Sequence, residues 1–79
     1  AGLSYDSTNI SSVLDSLIND ALAHQDVPPE QMDRAQRIEV IRYLDQHGAF
    51  LVTKAGERIA NLLGISKYTL YSYLDTARA

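Results

Sequence analysis

The stretch from Ile59 to Leu74 constrains this chain most, because one glycine, Gly64, separates two apolar patterns that each recur at helical spacing. Before it, Ile59, Ala60, Leu62 and Leu63 make a buried face; after it, Leu70, Tyr73 and Leu74 make another. Helices joined this tightly cross at a steep angle. That geometry needs a small residue at the closest approach, a positive φ at the turn, and apolar residues that lock the crossing. Ala60 supplies the first requirement and Gly64, four positions later, the second. Ile59, Leu63, Ile65, Leu70 and Tyr73 supply the third. The segment reads as a helix-turn-helix, with Ser66 capping a second helix that runs from about 66 to 76.

The rest of the chain is also helical in pattern. Ile10, Val13, Leu14, Leu17, Ile18, Ala21 and Leu22 form one stripe of a first helix over about 8–24, opened by Ser7 or Thr8 and closed ahead of Pro28 and Pro29. Asp33 and Gln36 have the spacing of a capping box, and Ile38, Val40, Ile41 and Leu44 follow as anchors of a second helix that stops at Gly48. Ala49 to Val52 is too short for a helix and too apolar for a free loop, so an extended buried connector is expected there. Thr53 is the expected cap of a third helix, whose first turn Gly56 weakens. The predicted fold is all-α, with about four helices. Residues 1–32 form an acidic linker and amphipathic connecting helix, and residues 33–79 a helix-turn-helix domain.

Charge divides the chain in the same place. Residues 1–33 hold six acids and no Lys or Arg, while residues 34–79 hold seven bases and four acids, within a net charge of −3. Binding to nucleic acid depends on Lys and Arg displacing phosphate counterions, so only the second half suits it. On the second helix of the motif the outward positions near base edges or phosphates are Ser66, Lys67, Tyr68 and Thr69, with Tyr71 and Ser72 one turn later. The alternative for Tyr68 and Tyr71, less favoured than an outward role, is that of partly buried packing residues with wet tips. Lys54 and Arg58 are candidate phosphate clamps or plain solvated surface.

The stripe on the first helix is wider than a strict coiled-coil seam. It can cover a three-helix core, pair with its copy in a second chain, or do both; pairing is preferred, since a two-fold dimer matches paired half-sites on double-stranded DNA. Ile10, Val13, Leu14, Leu17, Ile18, Ala21 and Leu22 are therefore the dimerisation candidates in a homodimer.

The absence of cysteine excludes disulfides and thiolate chemistry. Asp20 and His24 have the spacing of a metal edge but no further ligands, the carboxylates are scattered over polar faces, and neither a phosphate-binding glycine loop nor a nucleophile elbow occurs. No metal, cofactor or enzymatic activity is expected. No apolar run reaches the roughly 20 residues of a membrane span, and a soluble cytoplasmic protein is expected.

The sequence also resembles the C-terminal domain of the YheO-like, or DauR-like, bacterial transcriptional regulators. The similar residues run from Arg37 to Ile41, from Leu44 through Gly48-Ala49-Phe50-Leu51 to Val52, and over Ile59-Ala60, Leu62 to Ser66 and Thr69 to Leu74. Two positions depart from that pattern: Gly56 falls one residue late, and Tyr68 replaces a smaller residue. The resemblance implies a transcriptional regulator in which a PAS-like sensor precedes the DNA-binding domain. On that basis residues 1–32 are the sensor's tail and a connecting helix, and a small-molecule effector would act through a sensor domain outside this chain. The alternative reading is a helix-turn-helix module that recognises a protein partner or dimerises without binding DNA.

Overall fold

The computed structural model describes the backbone from Gly2 and side chains from Val13 onward. Four α-helices follow in order: α1 (Gly2–Ala23), α2 (Arg34–Gln46), α3 (Ala55–Leu63) and α4 (Lys67–Arg78), with short 3₁₀ turns at Pro29–Gln31 and Ala49–Leu51. No strand occurs among the described residues. Helix α1 starts upstream of the predicted position, so Ser7 and Thr8 lie within it and do not open it.

Each helix boundary has a local cause. At the start of α2 the backbone amide of Gln36 donates to Asp33 Oδ1 at 2.8 Å, and the amide of Asp33 donates to Gln36 Oε1 at 3.0 Å. This capping box satisfies two amides that the helix cannot pair internally. Gly48, at φ 77°, takes the left-handed conformation that ends α2.

Two expectations in the next segment are corrected. Residues 49–52 are not an extended connector. Leu51 and Val52 donate back to the carbonyls of Gly48 and Ala49, at 3.0 and 3.1 Å, in a 3₁₀ turn. With no strand beside it, an extended buried segment would leave its backbone groups unpaired, whereas the turn closes them locally. Ala49 is buried, Phe50 and Val52 are half-buried, and Leu51 is 90% exposed. Thr53 is likewise not the cap of α3. Lys54 occupies that place in the left-handed region (φ 63°), and no side chain caps the helix.

The α3–α4 turn agrees with the sequence reading in detail. Gly64 has φ 69°, its amide donates to Asn61 O at 3.2 Å, and the amide of Ile65 donates to Ala60 O at 3.0 Å. These are the two hydrogen bonds of a Schellman C-cap. Ser66 then caps α4, its Oγ accepting from the Thr69 amide at 3.0 Å.

The core lies between the helices. Val40, Ile41 and Leu44 of α2, Ile59 and Leu63 of α3 and Leu70 of α4 are fully enclosed, joined by Leu14, Ile18 and Ala21 of α1 and by Met32 from the loop. Every buried side chain in this core is apolar. Helix α4 packs most extensively against α2, and α3 also packs against α4.

Candidate nucleic-acid interface

Helix α4 is held by one face only. Leu70 and Leu74 point into the core, and at 3.6 residues per turn Tyr71 and Tyr73 lie about 80° to either side of that line. The opposite face carries Tyr68 and Ser72, with Tyr68 86% exposed, and Lys67 is exposed at the first turn. The first half of α4 is thus a free ridge, and its N-terminal end is held rigid by the Ser66 cap. The Ser66 hydroxyl is itself committed, accepting from the Thr69 amide and donating to Thr69 Oγ1 at 3.0 Å. Its place is therefore that of an organiser of the ridge.

The Tyr71 edge of α4 faces α3. Tyr71 is 47% exposed, and its hydroxyl lies 2.6 Å from the position that a Cβ on Gly56 would take. The glycine that the sequence marked only as a weak point in α3 is thus a place where a side chain of α4 lies close against the α3 backbone. Ala60 is buried and accepts the Ile65 amide at the turn. Lys54, Gly56, Glu57, Lys67 and Tyr71 line one shallow cavity on this edge.

Lys54, Arg58 and Lys67 are near one another, but acids are interleaved with them. Lys67 Nζ lies 3.9 Å from Glu57 Oε1, and Arg58 pairs with Asp15 of α1. Both pairs are about half exposed, so each is held weakly and can be exchanged for a stronger anion. Among the described residues no carboxylate lies within ion-pair distance of Lys54.

The Tyr73 edge of α4 faces α2, and sequence reasoning missed its basic residues. The Arg34 guanidinium lies over the Tyr73 ring, 5.5 Å from the centroid. Arg37 is half-buried, with Nε enclosed and unpartnered. The signal was present only as two arginines just after the Asp33 cap; nothing in their spacing says which edge of α4 they reach. Farther along the same helices Arg78 grips Asp45 through two hydrogen bonds of 2.8 and 3.0 Å. The donated hydrogen bond and the charge of Arg78 hold the Asp45 carboxyl below its ordinary value and raise Arg78 above its own.

The stripe of α1 is divided. Leu14, Ile18 and Ala21 lie inside this chain's own core, Leu17 and Leu22 rest half-buried against it, and Val13 is 55% exposed. The Ile10 side chain lies outside the described residues. At the C-terminal end of α1, His24 tilts against Tyr43 (centroids 4.9 Å apart), whose other side stacks on His47 at 4.1 Å. No group of three or more potential metal ligands occurs among the described residues, and no described helix is long and apolar enough to cross a membrane.

Residues 13–75 match the protein-family model described as an HTH domain. Comparisons with curated proteins and with solved structures returned no match.

Proposed function

Because the chain belongs to the HTH domain family, we propose that it is the DNA-binding domain of a transcriptional regulator, with the first turns of α4 entering the major groove in a sequence-specific manner. The observation that carries this reading is the free ridge of α4: Tyr68 projects from the face opposite the buried Leu70 and Leu74, and Lys67, on the Leu70 side of the helix, is exposed at its capped end. In this role Lys67 bonds guanine or a phosphate, and Tyr68, Thr69, Tyr71 and Ser72 meet thymine methyls, base edges or phosphate oxygens. Ser66 holds the helix end, and Lys54 and Arg58 contact the sugar-phosphate backbone after giving up weak or absent carboxylate partners.

The working protein is a cytoplasmic homodimer, similar to the YheO-like regulators, whose effector acts through a PAS-like sensor. Residues 33–79 carry DNA binding, and α1 connects them to the rest. Since Leu14, Ile18 and Ala21 are already engaged inside the chain, pairing with a second copy falls to the exposed side of α1 that includes Val13. A Val13→Asp change, followed by measurement of mass in solution, checks this: a dimer that persists rules out that side.

Selection of bound duplexes from a random pool tests the reading as a whole, and a palindromic winner would support both readout and two-fold symmetry. Lys67→Glu should then abolish binding to that winner at low salt, and unchanged affinity would refute the placement of α4. The rival reading, a module for protein partners, draws on the net charge of −3 and on the acids Asp15 and Glu57 beside the basic groups. A selection that enriches no sequence would favour it.

A further inference from the structure

The basic residues that have no carboxylate partner among the described residues are arranged about α4 on both sides. On the Tyr71 edge stands Lys54. On the Tyr73 edge stands Arg34, exposed and laid over the ring, with Arg37 three residues on and therefore on the same side of α2. Among the described residues no carboxylate is within ion-pair distance of Arg34 or Arg37. The acid next to Arg34 in sequence, Asp33, has one carboxylate oxygen committed to the Gln36 amide, and the acid nearest Arg37, Glu39, is paired with Arg42. The other four basic residues, Arg42, Arg58, Lys67 and Arg78, all have carboxylate partners.

We propose that Arg34, supported by the charge of Arg37, is a phosphodiester contact on the α2 side of the recognition helix, so that the duplex is gripped from both edges of α4. The proposal rests on the reading of α4 as a DNA-reading helix and extends it to a second surface. Tyr73 lies one turn beyond Thr69 along the same edge of α4, so a guanidinium over its ring is beside the ridge and not behind it. A ring face holds a cation without neutralising it, because the attraction comes from the quadrupole of the ring and leaves the N–H groups at the rim free. The guanidinium is thereby held in place while its planar fork stays available to phosphate oxygens. A contact of this kind strengthens binding without distinguishing one sequence from another.

Salt titration of the full chain on two fluorescent duplexes, the selected winner and one of unrelated sequence, tests this. Each phosphate contact contributes about 0.9 to the steepness of log K against log salt. Arg34→Gln with Arg37→Gln should lower that steepness by about 1 to 2 and weaken binding to both duplexes by a similar factor. Arg34→Lys, which retains a cation, should keep most of the slope. Circular-dichroism melts confirm that each variant is folded, and if the double variant is not, Arg34→Gln and Arg34→Lys alone carry the comparison. A wild-type chain whose slope is shared by the Gln variants overturns this inference while leaving α4 as the reading helix. A loss confined to the selected duplex also overturns it, since that marks a base contact. A wild-type chain that binds neither duplex overturns the reading and the inference together.

Discussion

Gly56→Ala has opposing effects of comparable size, and the structure says which residue balances them. In a helix, alanine is better than glycine by about 0.5–1 kcal/mol, because glycine loses more backbone freedom on folding. At Gly56, however, the new Cβ would be 2.6 Å from Tyr71 Oη, 3.3 Å from Tyr71 Cζ and 3.7 Å from Leu70 Cδ2. The first distance is well inside van der Waals contact, so the Tyr71 ring has to move. Its half-exposed position gives it room, and pushing the side chain off its preferred rotamer costs about 0.5–1.5 kcal/mol. Gly56→Ala alone should therefore be nearly neutral. In a Tyr71→Ala background the obstruction is gone, and the same change should stabilise by about 0.5–1 kcal/mol. Tyr71→Phe, which removes only the oxygen, should recover part of that gain. Urea denaturation followed by circular dichroism measures the four corners of the cycle, and 1 kcal/mol corresponds to a shift of about 4–8 °C in Tm for a domain of this size. A coupling of roughly 0.5–1.5 kcal/mol is expected between the two sites. Equal effects of Gly56→Ala in both backgrounds would refute the argument that α3 and α4 meet through Tyr71 at this glycine.

Gly64→Ala meets nothing within 4 Å, so its cost is one of backbone conformation alone, about 1 kcal/mol for a left-handed residue, and Gly64→Asn should cost less; a urea midpoint unchanged by Gly64→Ala would contradict this. Lys54→Gly relieves the left-handed strain at φ 63° and should raise stability by about 0.5 kcal/mol while making DNA binding weaker and less salt-dependent. A lower urea midpoint would show that the strain argument is wrong. Arg78→Gln removes the group that depresses the Asp45 carboxyl, so an NMR titration should place Asp45 higher in the variant. Because the folded value is depressed, the pairing stabilises above the unfolded carboxyl value of about 3.9 and is lost as pH falls through the folded value. The stability difference between wild type and variant should shrink over that acid range, and a constant difference would refute it.

How much of this was legible beforehand depended on the range of the interaction. The Asp33–Gln36 box, the left-handed Gly48 and Gly64 and the Ser66 cap are each closed within a few residues, and the sequence displayed all of them. The turn after α2 was misjudged because apolar character at Ala49 to Val52 suggested burial throughout, whereas the 3₁₀ turn buries Ala49 and turns Leu51 out. Lys54 was misjudged because a lysine in the left-handed region carries no sequence signal, and Thr53 beside it is the better cap by type. In the candidate interface the outward set on α4 followed from periodicity alone, but Arg34 and Arg37 did not, because their relation to α4 is made across 39 or so residues of chain by the packing of α2 on α4.

Spacing and side-chain type alone dictated four helices, a steep turn at Gly64 and an unburied side on the last helix, since helical periodicity and left-handed glycine are properties of neighbouring residues. Packing decided three further matters: that Tyr71 of α4 lies against Gly56 of α3, that Leu14, Ile18 and Ala21 are absorbed into the chain's own core, and which basic residues at the two edges of α4 stand without a carboxylate partner among the described residues. Distances between side chains on different helices depend on crossing angles set by all the buried groups together, and no window of sequence contains them.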